Sequence, residues 1–298
     1  MSELQLIKDY LDDEQRRNSL FKLAVRVFGI QFGTWYQLGA SNKRYIPFSY
    51  FDEDKAVANV SVNLLDLIID GEVKKAIQIG TVMTHPEYRN RGLSTELMNL
   101  VIEQYEATCD VMYLFANQSV LNFYPKFGFE AVSEHLFSIE WASSQRPVAG
   151  EGIRPLDGNK KEDFQFIARF AVERLPVSQR FGTANDQGIL MFYCLNVFNR
   201  DIYYLEQEEV IVIYQQYETE PSRLDIYDII SQKEIGIERV LARIAGDGIK
   251  KIVFHYTPDY NGIQLESSSF KGDDVLFVKT KGSVSFSAPM KHPITAQA

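Results

Sequence analysis

The stretch "VMTHPEYRNRGLSTELMNL", Val82 to Leu100, places two arginines and a glycine where a β-like run hands over to a helix-like run. A charged surface turn is the plain reading, and a cradle for an anion is the sharper one. Pro86 and Glu87 follow the strand, and the helix begins near Gly92–Ser94. The first N–H groups of a helix have no intrahelical partner, and the macrodipole adds positive potential there. Such an end suits a phosphate. Gly92 brings no Cβ between phosphate oxygens and backbone amides. Arg89 and Arg91 add positive charge, and Ser94 supplies a cap or a hydroxyl donor.

Working outward, "LQLIKDYL" reads as a short first strand. A helix over "DDEQRRNSLFKLAVRVFG" follows, with Asp12 or Asp13 as its cap and Gly29 after its end. The run from Arg44 to His85 has the β-branched and aromatic content of strands, punctuated by an Asp70-Gly71 hairpin turn. Leu93, Leu97, Leu100 and Val101 share one helical face. "DVMYLFAN" is a strand apolar enough to be buried on both faces. "SVLNFYPKFG" is a short helix or turn ended by Gly128, and "FEAVSEHLFSIEW" is a further strand. These elements make a mixed sheet flanked by helices over residues 1–141.

"ASSQRPVAGEG", residues 142–152, reads as a linker. Over 153–298 the order recurs: a strand at "GIRPLD", a helix through "KKEDFQFIARFAVERL", and strands at "DIYYLEQEE", "VIVIYQQY" and "RLDIYDII". A helix with Ile237, Leu241 and Ile244 on one face comes next, then strands at "KKIVFHYTP" and "DVLFVKT". No residue-level repeat is visible, so duplication rests on the order of elements. The expected fold is α/β (α+β), two units each with a mixed, mostly antiparallel sheet flanked by helices.

At 298 residues the chain suits two medium domains, and 45% hydrophobic with 13% aromatic residues supply a packed core. The net charge of −9 is shared by both halves, which argues against a nucleic-acid partner and fits a cationic or amine-bearing one. Cys109 and Cys194 have no metal-ligand spacing and suggest no disulfide framework. The charged N-terminus lacks a signal-peptide core, and no run reaches the roughly eighteen apolar residues of a membrane span. The expectation is a soluble cytoplasmic protein without membrane association.

Two motifs carry a resemblance. Arg89-x-x-Gly92-x-Ser94, preceded by "IGTVMTHPEY", resembles the acetyl-CoA signature Q/R-x-x-G-x-G/A of the GNAT superfamily of N-acetyltransferases, with Ser94 for the final Gly/Ala. "LFANQSVLNFYPKFGFEAV", Leu114 to Val132, is similar to the second half of that family's cofactor site. The tandem order is similar to the enhanced-intracellular-survival type, without its third domain. The resemblance implies a GNAT domain at 1–141 and a degenerate GNAT-like domain at 153–298, in an acetyl-CoA-dependent N-acetyltransferase. In the second unit "SQKEIGIE" has no arginine and puts Glu234 where a pyrophosphate needs positive potential, so no CoA is expected there.

The resemblance also implies roles. Val82, Met83 and Thr84 offer backbone groups to pantetheine and thioester. Arg89, Asn90, Arg91, Gly92, Leu93 and Ser94 hold the pyrophosphate, Asn117 and Phe123 complete the cofactor site, and Tyr124 is the general acid. A phenol with a pKa near ~10 protonates a thiolate of parent pKa ~8.5 only with help from proximity and developing charge. The competing reading packs Tyr124 in the core. The general base is unassigned, because "AIQIGTVMTH" holds Gln78 and no carboxylate. His85 is an ordinary residue before a proline, and His135, His255 and His292 lack ligand spacing, so no metal is expected. "GILMFYCLNVF" reads as core or inter-domain packing, with the lining of a substrate pocket as the alternative. The acceptor is expected to be a small primary amine. A peptide N-terminus, or a CoA-binding regulator without turnover, are the alternatives, and a homodimer is compatible with the resemblance.

Overall fold

The computed structural model describes residues 3–142, 152–282 and 284–298. Of the expected linker only Ala142 and Gly152 lie within these residues. The chain opens with β1 (Gln5–Lys8), α1 (Glu14–Phe28), α2 (Gly33–Gln37), β2 (Tyr45–Asp52), β3 (Lys55–Ile69) and β4 (Glu72–Thr84). Next come α3 (Leu93–Tyr105), β5 (Val111–Asn117), β6 (Glu130–Val132) and β7 (Glu134–Glu140). The second half holds β8 (Ile153–Leu156), α4 (Lys161–Val172), β9 (Phe181–Ala184), α5 (Gln187–Asn196), β10 (Ile202–Leu205) and β11 (Val210–Gln215). It continues with β12 (Arg223–Ile230), α6 (Ile237–Ile244), β13 (Lys251–Phe254), β14 (Glu266–Phe270) and β15 (Asp274–Thr280).

Local chemistry fixes the first helix as the sequence indicates. Asp13 caps α1 by accepting the Arg16 N–H, and Gly29 closes it in the left-handed region at φ +73°. Asp70 and Gly71 both take positive φ between β3 and β4, the geometry that a tight hairpin of right-handed twist requires.

The strands form two sheets with the same internal order. The first runs β1-β2-β3-β4-β5-β15-β6, with β9 added to the end of β3. The second runs β8-β10-β11-β12-β13-β7-β14. Each has one parallel pair at its centre, β4 with β5 and β12 with β13, among antiparallel neighbours. This is the mixed α/β, mostly antiparallel architecture that the order of elements indicates.

The sheets do not respect the sequence boundary. The stretch 129–141 is not one strand: β6 stays in the first sheet, and β7, after Ser133, pairs with β13 and β14 in the second. In return β15, expected to close the second unit, lies in the first sheet between β5 and β6, with Asp274 opposite Asn117. Each sheet therefore takes its penultimate strand from the other half of the chain.

α3 packs Leu93, Leu97, Met98, Val101 and Ile102 against the first sheet, and α6 packs Ile237, Val240, Leu241 and Ile244 against the second. Between the sheets a third core joins α1 and α2 to α4 and α5, with Leu20, Phe32 and Trp35 meeting Leu190, Met191 and Ile202. The apolar stretch at 188–198 is thus a helix of the inter-unit core, as its composition indicates. Cys109 and Cys194 are both free and buried.

Candidate functional site

Strands β4 and β5 pair from Ala76↔Val111 to Ile79↔Leu114 and then part, although β4 continues to Thr84 and β5 to Asn117. A bulge causes the parting. The β3–β4 register shifts between Asn59↔Met83 and Ser61↔Gly80, and Thr81 sits at φ +45°, a conformation that costs a β-branched residue free energy. A polar network holds it. Asn59 Nδ2 donates to the Thr81 carbonyl at 2.9 Å and to Ser61 Oγ at 2.9 Å. Ser49 Oγ donates to Asn59 Oδ1 at 2.8 Å, and Tyr45 meets Ser61 at 2.8 Å and Thr81 at 3.2 Å. Ser49, Asn59 and Ser61 are fully buried, so the network determines one conformation.

Beyond the bulge, the cavity-facing edge of β4 has no strand partner. The His85 N–H donates to Val57 of β3, so by alternation Met83 also turns its N–H toward β3. Val82 and Thr84 then direct theirs to the open side. The Met83 side chain is 2% exposed and packs in the inter-unit core.

The open edge leads to the N-terminus of α3. Gly92 caps that helix at φ +80° without a side-chain hydrogen bond, and Asn90 also has positive φ. A Cβ added at Gly92 would meet only Glu96 Oε1, at 3.9 Å, so the space above the helix end is open. Thr84 Oγ1 and Ser94 Oγ lie 2.7 Å apart and tie strand end to helix start. Arg91 donates to the Glu87 carbonyl at 2.9 Å and lies over the Tyr88 ring, while Arg89 Nε reaches the Thr84 carbonyl at 3.4 Å. Both arginines are exposed on this rim.

All twelve residues singled out in the sequence line one cavity of about 950 Å³: Val82, Met83, Thr84, Arg89, Asn90, Arg91, Gly92, Leu93, Ser94, Asn117, Phe123 and Tyr124. Tyr124 opens a 3₁₀ turn and is 5% exposed beside Phe123 and Phe277. Burial, then the charge of Asp274, pushes its hydroxyl up to about 12. That hydroxyl makes no hydrogen bond to another described residue and remains a donor throughout the physiological range. His85 is 5% exposed and caps the turn at Pro86, with its pKa lowered by burial and then by nearby Lys55.

The cavity has further walls, some from the 188–198 stretch, for which pocket lining is the alternative reading, and others that the sequence did not announce. Phe28 from α1, Trp35 from α2, and Gly188, Phe192 and Tyr193 from α5 also line it, as do Asn63 and Asp274. Asp274 is half-buried, and burial followed by the neighbouring Asp273 raises its pKa. Its signal in the sequence is weak, because it reaches Asn117 only through the strand exchange.

The chain end lines the same cavity through Gln297 and Ala298. Gln78, which stands in place of a carboxylate on β4, is fully buried and receives this segment. Its Nε2 donates to the Tyr113 hydroxyl and to the Ala296 carbonyl, both at 2.7 Å, and its Oε1 accepts the Ala298 N–H. A Cβ at Gly80 would press on Ala298 at 3.3 Å, so glycine is what allows this approach. Upstream, Glu134 of β7 takes buried Lys291 at 3.0 Å and the His292 N–H at 2.9 Å.

The corresponding junction of the second sheet is filled by protein. β12 and β13 part after Ile226↔Phe254, beside a bulge at Tyr227. Tyr227 stacks on His255 at 4.3 Å, and Asp228 binds Arg174 at 2.8 and 2.9 Å and Thr295 at 2.5 Å. The helix that follows, α6, has eight residues, and Glu234 is exposed before it. Among the described residues there is no group of three or more potential metal-ligating side chains, and no helix is long and apolar enough to cross a membrane.

The paired sheets, the split central strands and the glycine at the helix start define an acetyltransferase fold. A family model of the acetyltransferase (GNAT) domain matches residues 13–132. A probable N-acyltransferase from Enterococcus faecalis V583 superposes with a TM-score of 0.60 at 14% identity, covering 94% of this chain and 72% of that one. Eis1 from Mycobacterium abscessus gives 0.58 at 15% identity, covering 91% and 73%. A GCN5-related N-acetyltransferase from Anabaena variabilis ATCC 29413 gives 0.56 at 15% identity, covering 93% and 73%. No curated protein matches the chain. Residues 13–132 thus match the GNAT acetyltransferase domain, and the two sheets share the fold of these acetyltransferases.

Proposed function

We propose that the protein transfers an acetyl group from acetyl-CoA to the primary amine of a small molecule, by direct attack of the amine on the thioester. The observation that carries this reading is the unpaired β4 edge, which runs from Gly80 to Thr84 and leads to the N-terminus of α3, where Gly92 provides no side-chain cap. An extended pantetheine arm would add to that edge as a strand does, through Val82 and Thr84. The pyrophosphate would then rest on the amides of Arg89 to Ser94, beside the two arginine side chains. The walls contributed by α2 and α5 favour a small acceptor over a peptide.

Acetyl transfer of this kind needs alignment, a donor to the thioester oxygen and a proton for the leaving sulfur. The Val82 N–H is the proposed donor to the oxygen. Tyr124 is the proposed acid. A phenol near 12 is about 3.5 pKa units weaker than a free thiol, so its proton moves only as the C–S bond breaks and negative charge builds on sulfur. The amine nitrogen forms the new C–N bond and sheds one proton, which restores the Tyr124 hydroxyl. The net products are the acetamide and the free thiol.

Calorimetric titration with acetyl-CoA tests the first half of this reading, and thiol release in the presence of amines tests the second. Micromolar binding is expected, with Tyr124→Phe lowering kcat about a hundredfold and leaving acetyl-CoA affinity intact. Tyr124→Phe with unchanged kcat would return Tyr124 to the core-packing reading. Binding without turnover on any amine would leave a CoA-binding regulator.

A further inference from the structure

The cavity is chemically divided. Its rim at α3 is cationic, through Arg89 and Arg91, whereas the opposite part is built of rings. Phe32 lies 5.5 Å from Phe192 and 5.6 Å from Trp35, and Trp35 lies 5.8 Å from Tyr45. The Trp35 indole N–H is already taken by the Gly188 carbonyl at 2.8 Å, which fixes the ring as wall. Phe28 is 43% exposed and lines the cavity.

Against these rings there is little negative charge. Among the described residues lining the cavity, Asp274 is the one with a side-chain carboxylate. It stands at the head of β15, opposite Asn117, where Gln297 Nε2 donates to its Oδ2 at 3.2 Å. Tyr124 and Tyr193 line the same cavity, and the charge of Asp274 adds to burial in raising the pKa of both hydroxyls.

We propose that the acceptor is a monoamine carried on an apolar, preferentially aromatic body, with its ammonium bound at Asp274, where it gives up one proton to solvent before the neutral nitrogen attacks, and its body against Phe192, Phe32 and Phe28. The proposal rests on the acetyltransferase reading above and adds the class of acceptor. One ammonium finds one carboxylate, and a flat ring finds rings at the spacing that edge-to-face contacts use. A second or third ammonium would be stripped of water against carbon with no further side-chain carboxylate among the described lining residues, and a cation–π contact returns only part of that cost. Polyamines and aminoglycosides therefore fit this cavity poorly.

The test uses the full chain at saturating acetyl-CoA, with free thiol as the readout. 2-Phenylethylamine and tryptamine are compared with spermidine and kanamycin. The expected kcat/KM is at least about tenfold higher for the two aryl monoamines. Asp274→Asn is expected to raise KM for 2-phenylethylamine about ten- to a hundredfold. It should leave acetyl-CoA affinity unchanged, and likewise the inhibition constant of 2-phenylethanol, which has no charge for Asp274 to hold. Equal or better use of spermidine or kanamycin would overturn the proposal, as would an unchanged KM in Asp274→Asn. Acetyl-CoA binding with no turnover of either aryl monoamine would overturn it alone. Failure of the wild type to bind acetyl-CoA would overturn the acetyltransferase reading and this proposal with it.

Discussion

Lowering the pH from 7.5 to 5 should destabilise the folded chain by about 2 kcal/mol through His292 alone. The ring is 1% exposed, and burial, reinforced by the Lys291 charge, holds its pKa at about 3, with the Pro293 carbonyl opposing. The hydrogen bonds explain why the neutral form is required. Nδ1 faces the Pro293 carbonyl at 2.9 Å and must carry the proton, so Nε2 accepts from the Tyr113 hydroxyl at 3.2 Å. That hydroxyl in turn accepts from Gln78. The folded pKa lies below that of the unfolded chain, so the unfolded state takes up the proton first. The stability is complete above the unfolded value of ~6.5 and is lost as pH falls toward the folded value. At pH 5 an unfolded imidazole is 1.5 units below its pKa, and RT ln(1 + 10^1.5) is ~2 kcal/mol. His292→Gln can keep both hydrogen bonds without titrating. Urea unfolding at the two pH values should show the wild type losing about 2 kcal/mol more than His292→Gln. Equal losses would refute the reasoning, as would an imidazole resonance of His292 that titrates near 6.5 in the folded protein.

Other perturbations bear on the cradle, the filled second junction and the strand exchange. Gly92→Glu puts a side chain at φ +80° and a carboxylate at the phosphate position, and calorimetry should show acetyl-CoA affinity falling at least about tenfold. An unchanged Kd would move the pyrophosphate elsewhere. Arg174→Met leaves Asp228 buried without its bidentate partner, so urea unfolding should register a loss of ~3–5 kcal/mol. A loss under about 1 kcal/mol would mean that Thr295 and water suffice for Asp228. Ending the chain at Trp141 removes β15 from between β5 and β6 and leaves β7 without β13 and β14. That fragment should lack near-ultraviolet dichroism and acetyl-CoA binding, and a folded fragment that binds would show the first sheet to be self-sufficient.

What the sequence revealed and what it hid divide along one physical line. Helix caps, the Asp70-Gly71 turn and the junction from Thr84 to Ser94 are encoded within a few residues of each other. There, backbone geometry and side-chain chemistry are set locally, and all twelve residues chosen from the motifs line one cavity. The strand exchange is encoded by pairing over long separations. "FEAVSEHLFSIEW" reads as one strand because nothing in its composition marks Ser133 as the point where the chain leaves one sheet for the other. Both penultimate strands are apolar enough for either sheet, so periodicity could not assign them. The same gap hid Asp274, which is distant from Asn117 in sequence and opposite it in space. It also hid the welcome that Gln78 and Gly80 give to Ala298, since a glutamine and a glycine on β4 signify nothing until the tail is there. The exchange has a consequence for the chemistry. In the first sheet, β15 brings Asp274 opposite Asn117 in the cavity lining, so a wall of the cavity at the N-terminal sheet is built from residues of the second half of the chain. In the second, the mirror-image position is closed by Arg174, Asp228 and Thr295. The second half of the chain supplies α5 as a wall of the cavity at the first sheet's junction, which is a physical reason for the two sheets to be packed together.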